Sequence, residues 1–473
     1  MADHHDADAI IIGAGVIGAA LAFELSKRGH RTINLDKLPA SGYGSTSNSC
    51  AIVRFSYSTV DGVAMAYEGV RYWQRWSEYL GAEDERGHAA YHQCGSVTLK
   101  GPDGHVAKVL PLYDEVGVPY ELWDLDELGR RVPSFRHGSH YPPTRPDSEG
   151  FWAEPDATID GAVYTAESGY VSDPQLATHN LQVAAAALGA RFLFNTEVAA
   201  IDRRDADSDA GNGGSGGSSG AGNGGSGGNG GNAGNGGSAG GGRVTGVTLT
   251  DGTSLTAPVV VNVAGPHSFV INRMAGLEGT MAIGTRALRH EVHHVPSPEG
   301  VDFEADGYHV SDGDSGIYFR PETGNHILIG SEDPDCDPRV WVEDPDVYDR
   351  EISGEQWEAQ VLRLSRRMEG LGLPSRKRGV VDLYDVSDDW IPIYDRTDLD
   401  GFYVAIGTSG NQFKNAPIVG HCMAELIEAV EGGHDHDADP LTVTGPHTGW
   451  ELDMGFYRRN RAINPNSSFS VNG

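Results

Sequence analysis

The first sharp pattern along the chain is the continuous apolar run Ala9-Ile10-Ile11-Ile12, followed at once by Gly13-Ala14-Gly15-Val16-Ile17-Gly18. A short uninterrupted run of this kind fits a strand buried on both faces of a parallel sheet. Ala19 to Arg28 then reads as a helix, and Ile33-Asn34-Leu35-Asp36 as a second strand ending in a carboxylate. The alanine-rich stretch from Thr178 to Leu188 predicts another helix, leading to strands at Arg191-Phe192-Leu193-Phe194 and Glu197-Val198. Pro258 to Gly265 is a further buried strand that stops at a glycine turn. Gly401 to Gly407 repeats the design, with a helix from Val419 to Val430 behind it. Strands around turns are expected from Glu304 to Ile329, one amphipathic helix from Ser353 to Gly370, and an irregular tail after Glu431.

Between Arg203 and Val244 the pattern breaks. From Gly211 to Gly242 there are 19 glycines in 32 residues, the rest being Asn, Ser and Ala. Such a segment buries no apolar area to offset its ordering entropy, so a flexible loop is expected there. Without it, Val198 to Ile201 can pair with Val244 to Leu249. The insert, residues 205–243, is thus read as the enlarged tip of a hairpin with no function of its own.

Composition narrows the class. With 473 residues, 38% of them hydrophobic, the chain can bury two or three cores. No apolar run approaches the roughly 20 residues of a spanning helix, so no integral membrane segment is expected. The acidic start, Met1 to Asp6, and four scattered cysteines without a CxxC pair point to a cytoplasmic protein with reduced thiols. Asp and Glu number 67 against 35 Lys and Arg, giving a net charge of -32. That excess repels nucleic acid and anionic membranes, and its even spread is the pattern of a halophilic cytoplasm. His290 and His294 fall in an expected strand without a ligand pattern around them, so no metal site is expected.

The glycine motif carries the first chemistry. It stands between a strand and a helix, with Asp36 placed 23 residues after Gly13. Gly13 permits the tight turn, Gly15 lets backbone approach a pyrophosphate, and Gly18 lets helix and strand pack closely. Asp36 is then suited to a ribose hydroxyl. This much is compatible with NAD or FAD. The second element, strand Gly401 to Gly407 running into Thr408-Ser409-Gly410-Asn411-Gln412-Phe413-Lys414, favours FAD. Its amides and the following helix can stabilise charge on a reduced isoalloxazine, which a simple NAD enzyme does not need.

Six segments then line up in one order: Ile10 to Gly18, Gly44 to Cys50, Glu167 to Val171, Val261 to Gly265, Val381 to Asp385, and Gly401 to Lys414. In these the chain resembles the D-amino-acid oxidase-like family of FAD enzymes, nearest the sarcosine oxidase and dimethylglycine dehydrogenase branch. The resemblance implies an α/β fold, with a Rossmann-type FAD-binding domain interleaved with a mixed, largely antiparallel α+β substrate domain. The FAD-binding parts would be 1–90, 161–275 and 379–432, the substrate parts 91–160 and 276–378, and a tail 433–473. FAD contacts are implied for Gly13, Gly15, Val16, Ile17, Gly18, Asp36 and Lys37, for Gly44, Ser45, Thr46, Val198, Ala264 and Gly265, and for Gly407, Gly410, Asn411, Gln412, Phe413 and Lys414.

The resemblance also implies a substrate site. Arg54 and Tyr57 stand 10 and 13 residues after Gly44, at the spacing of sarcosine oxidases. There the arginine and the lysine ending the C-terminal glycine motif, here Lys414, hold the substrate carboxylate. A guanidinium and an ammonium can indeed fix a carboxylate and aim the neighbouring carbon. Tyr318 and Tyr384 match positions that line the family's pocket.

Three departures matter. Asn48 and Asp382 stand where covalent family members carry a flavin-linking histidine or cysteine, so noncovalent FAD is expected, with Cys50 close by. Leu328 stands where oxidases carry a lysine that speeds reaction with oxygen, and no lysine occurs between Pro321 and Asp337. The expectation is an FAD-dependent enzyme oxidising the C–N bond of a small, secondary or N-methylated amino acid, and a dehydrogenase with an unidentified acceptor rather than an oxidase. Deamination of the D-amino-acid or glycine oxidase type, or a non-catalytic FAD-binding assembly factor, are the alternatives.

Overall fold

Ala9–Ile12 lies inside a six-stranded sheet whose order is Ile393–Arg396, Phe402–Ile406, Val259–Asn262, Ala9–Ile12, Thr32–Leu35, Arg191–Leu193. The computed structural model describes residues 5–205 and 242–472. All neighbours in this sheet are parallel except Ile393–Arg396, which runs antiparallel to Phe402–Ile406. The strands are apolar throughout because both faces are covered. Alternate residues serve different layers: Ile11 and Val261 pack with helices Val16–Lys27, Pro174–Ala187 and Ala416–Glu431. Ile10, Ile12 and Val260 pack instead with Val198, Ile201, Val244 and Val247 on the other side. The helices meet closely at Gly420, where a Cβ would come within 2.8 Å of the Ala20 carbonyl carbon.

The expected hairpin forms. Val198–Asp205 pairs antiparallel with Gly242–Leu249, and Ser254–Thr256 adds a third strand. The glycine-rich insert between them lies, apart from its ends, outside the described residues.

The second sheet has nine strands, with Ser96–Leu99, Glu121–Trp123, Ala162–Thr165, Thr285–Pro296, His309–Asp312, Ile317–Glu322, His326–Ser331, Val340–Val342 and Gly379–Ser387. Only His309–Asp312 and Ser96–Leu99 pair in parallel, so the sheet is mixed and largely antiparallel, as expected. One face packs on helix Gly354–Arg367: Ile317 and Phe319 point towards Trp357, Val361 and Leu364. Tyr318, between them, points the opposite way. At the C-terminal end of that helix Arg367 is fully buried and paired with Asp312 and Asp314.

Two strands differ from the expected seams at 160/161 and 378/379. Ala162–Thr165 pairs with Ser96–Leu99, and Gly379–Ser387 with Thr285–Pro296, so both belong to the large sheet. Hydrogen-bond partners, not order along the chain, set that membership.

The tail expected to be irregular contains the pair Thr442–Thr444 and Glu451–Asp453. Beyond it Arg459 binds Asp395, Asp398 and Asp437, and Arg461 binds Asp389, tying the tail to the six-stranded sheet and the loop before it. Val471 and Asn472 end up buried. No described helix is long and apolar enough to cross a membrane.

Candidate active site

A cavity of about 500 Å³ runs between the two sheets. One end is the turn after Ala9–Ile12. Gly13 has φ +115°, and a Cβ there would sit 2.5 Å from the Val263 carbonyl oxygen, so only glycine fits. Gly15 caps helix Val16–Lys27 without a capping side chain, leaving the positive helix end at the cavity wall beside Val16 and Ile17. Asp36 Oδ2 accepts the Ala14 amide and Oδ1 the Leu38 amide, both at 2.8 Å. Burial pushes its carboxyl above the usual range, against the pull of those amides. Each oxygen keeps lone pairs for a hydroxyl donor. Lys37 pairs with Asp346 at 2.5 Å and lies 3.0 Å from His267, so the loop around Asp346 is fastened over this end.

Gly44, Ser45, Thr46, Val198, Ala264 and Gly265 line the middle. Thr46 Oγ1 accepts the Val16 amide at 3.2 Å. Ser45 Oγ donates to the Leu383 carbonyl at 2.8 Å, and Asn48 Nδ2 donates to Asp382 Oδ2 at 2.6 Å. Asn48 and Asp382 thus face each other across the cavity wall. Cys50 also lines it; burial pushes its thiol pKa up.

At the far end the turn from Gly407 to Lys414 passes against Tyr384. A Cβ on Gly410 would sit 2.3 Å from that ring, and Gly410 has φ +71°. Tyr384 stacks on His290 with centroids 4.1 Å apart, and His290 binds Asp333 at 2.8 Å. Gly407 donates its amide to Asp385 Oδ2 at 2.6 Å; burial pushes that carboxyl up to about 7. The Tyr318 hydroxyl lies 3.6 Å from Cys50 Sγ, and Leu328 packs on the same small apolar group.

Arg54 and Lys414 meet here, both buried. Arg54 donates to the carbonyls of Val471, at 2.6 Å, and Ser56. Lys414 Nζ donates to the Tyr57 hydroxyl at 2.7 Å and to the Asn411 carbonyl at 2.6 Å. Among the described residues no carboxylate reaches ion-pairing distance of either cation. Burial, then repulsion from Arg54, holds the Lys414 ammonium well below its ordinary pKa.

Most of the expected residues line this one cavity, including Gln412, Phe413 and Tyr318. Three stand behind the wall. Gly18 packs under the first turn, where a Cβ would lie 2.1 Å from the Gly13 carbonyl oxygen, and Gly407 rests against Ser387. Tyr57 is not a pocket residue either: its ring lies under both cations, 5.2 Å from Arg54 and 5.0 Å from Lys414. Several lining residues carried no signal in the sequence, His309 and Glu332 among them. His309 is held by Ser96 at 2.8 Å and kept neutral by burial beside Arg54 and Lys414. Glu332 sits at a strand end, inside the segment notable only for lacking lysine.

Two glycine turns in the wall of one cavity, a helix N-terminus beside it and an acid after the second strand form a set of donors and acceptors that suits FAD. The sequence profile of the family described as FAD dependent oxidoreductase matches residues 8–223 and 235–426. The chain belongs to that family. Within it, the chain is 27% identical over 137 residues to the monomeric sarcosine oxidase of Bacillus sp. (strain B-0618), covering 28% of this chain and 34% of that one. Against 4-methylaminobutanoate oxidase (formaldehyde-forming) of Paenarthrobacter nicotinovorans it is 22% identical over 439 residues, 91% of this chain and 44% of that protein. The chain thus spans less than half the length of these two relatives. Among solved structures, L-proline dehydrogenase from P. horikoshii superposes with TM-score 0.67 at 20% identity, covering 91% and 95% of the two chains. Glycine oxidase from Geobacillus kaustophilus gives 0.66 at 19% identity, covering 98% and 100%. These likenesses carry the fold.

Proposed function

We propose that this family member holds FAD noncovalently and oxidises the C–N bond of a small amino acid, secondary or N-methylated by preference. The observation that carries the reading is the pair Arg54 and Lys414, two buried cations in one cavity with no carboxylate of the described residues at ion-pairing distance. Keeping such charge out of water is costly unless a partner arrives, and a substrate carboxylate is that partner. The methylamino substrate in the name of one relative agrees with this class.

Bound in the cavity, FAD would accept a hydride from the carbon beside the substrate nitrogen. The chain's own residues do the rest. Arg54 and Lys414 fix the carboxylate; Tyr57, Asn411 and the backbone carbonyls of Ser56 and Val471 hold the two cations in place. Tyr384 and Tyr318 close the cavity beside them. The proton of an arriving ammonium goes to solvent before binding, and the imine product is hydrolysed by water. Noncovalent attachment follows from Asn48 and Asp382, which are bound to each other and offer no thiol or imidazole. Cys50, with its raised pKa, is a poor thiolate. Leu328 beside the cavity supplies no cation to a developing superoxide, which favours an acceptor other than oxygen. We assign the six-stranded sheet to FAD and the large sheet to the substrate wall.

The purified protein should be yellow and should bleach anaerobically with at least one of a panel of D-, L- and N-methyl amino acids. A colourless protein that refuses added FAD overturns the reading. A yellow protein that no amine bleaches transfers it to the non-catalytic alternative.

A further inference from the structure

The cavity that holds Arg54 and Lys414 also has a buried acid in its wall. Glu332 lines it, with the residue only 9% exposed. Its Oε1 accepts a hydrogen bond from Ser311 Oγ, while Oε2 has no hydrogen-bond partner among the described residues. A second carboxylate stands nearby: a Cβ on Gly313 would lie 3.5 Å from Glu332 Oε2 and 2.3 Å from Asp103 Oδ2. The charged groups facing Glu332 are Arg54, which favours its ionised form, and Asp312 and Asp103, which oppose it. Asp312 is already committed to Arg367, and Arg54 makes no ion pair with Glu332. Glu332 thus brings an acidic group with no protein cation among the described residues bound to it to the wall of the cavity that holds Arg54 and Lys414.

We propose that Glu332 is a specificity residue that binds a cationic group at the far end of the substrate side chain, so that among secondary or N-methylated amino acids those carrying a second, basic group are preferred. This rests on the assignment of Arg54 and Lys414 to the substrate carboxylate. A ligand with a carboxylate at one end and an ammonium or guanidinium at the other meets opposite charges at both ends of its site. A neutral aliphatic side chain would leave Glu332 buried and unpaired, which disfavours it. Two cations and one acid in the wall of one cavity thus select for charge separation within the ligand as well as for its carboxylate.

The sign with pH follows. Burial pushes the Glu332 carboxyl up to about 7. A distal ammonium binds the ionised form, so its advantage is present above that value and fades as pH falls through it.

The test uses two ligands without an α-amine, pentanoate and 5-aminopentanoate, the second first checked for anaerobic bleaching and, if it bleaches the flavin, followed by its initial spectral perturbation only. Both are titrated into the FAD-loaded protein by calorimetry or by perturbation of the flavin spectrum. In the unaltered protein at pH 8, 5-aminopentanoate should bind roughly tenfold or more tightly than pentanoate, the scale of a charge-assisted hydrogen bond. That ratio should shrink towards one at pH 6, and at pH 8 in Glu332→Gln. Equal binding of the two in the unaltered protein, or a ratio that survives Glu332→Gln, overturns the proposal. If neither ligand competes with any carboxylate that bleaches the flavin, the carboxylate assignment fails instead. That outcome is distinct from the loss of the distal contact alone.

Discussion

Lys414 Nζ lies 2.7 Å from the hydroxyl of Tyr57, a residue 357 positions away in the chain. The tyrosine joins the segment after the first glycine-rich turn to the motif that closes the second, and it carries the ammonium on its oxygen and its ring. Burial pushes the phenol itself up to about 12, so it stays neutral. Tyr57→Phe should keep the fold, at a cost of about 1 kcal/mol for the lost hydrogen bond. It should raise the concentration of substrate giving half-maximal flavin reduction more than it lowers the rate at saturation. An unchanged half-saturation value would mean that Tyr57 does not position the lysine.

Arg54→Met should raise that concentration by an order of magnitude or more, since a charged hydrogen bond contributes about 1.5–3 kcal/mol. Arg54→Lys should recover only part of it, because an ammonium cannot reproduce the planar fork. Stopped-flow anaerobic reduction reads both.

The depressed ammonium of Lys414 gives a pH signature. A carboxylate binds its charged form, and that form is lost as pH rises through a value well below the ordinary 10.5. Substrate affinity should therefore begin to fall at a lower pH than a surface lysine would produce. Lys414→Met should bind more weakly and lose this limb of the profile.

Asp385 supplies a stability signature. Its folded pKa, near 7, lies above the ordinary 3.8, so the folded state binds the proton more tightly. Its contribution is fully present below the unfolded value and declines as pH rises through the folded one. Asp385→Asn keeps an acceptor for the Gly407 amide and should flatten the change in unfolding free energy between about pH 4 and pH 7, on the order of a few kcal/mol. Denaturant midpoints across that range check it.

Salt offers a whole-molecule test. A net charge of -32 repels itself, and added salt screens it. The melting temperature should rise between about 0.1 M and 2 M KCl, where the Debye length contracts from about 10 Å to below 3 Å. A flat response would remove the halophilic reading.

Gly13→Ala should abolish retention of FAD through purification, because its Cβ meets the Val263 carbonyl at 2.5 Å in a left-handed conformation. A yellow Gly13→Ala protein would mean that the turn is not the one that holds the cofactor.

Much of the fold was legible along the chain. Buried parallel strands are apolar on both faces, so Ala9–Ile12, Val259–Asn262 and Phe402–Ile406 announce themselves as runs, and their glycine turns follow at fixed offsets. The turn at the Gly13 end of the cavity was legible for the same reason: Gly13, Gly15 and Asp36 act through local backbone geometry. Glu332 and His309 were not, because nothing in their flanking residues distinguishes them from any strand-end acid or strand histidine. That Ala162–Thr165 and Gly379–Ser387 join the large sheet was not legible, because a strand's neighbour in sequence need not be its neighbour in the sheet.

The sequence by itself determined the two glycine turns and the acid after the second strand, since each belongs to a short pattern whose physics is local, while the family resemblance singled out Arg54 and Lys414. Tertiary structure alone decided that Tyr57 stands beneath those cations rather than in the pocket, and that Asn48 faces Asp382. It also set Glu332 in the same cavity. These relations join residues hundreds of positions apart, and only the packing of one sheet against the other brings them within hydrogen-bonding reach.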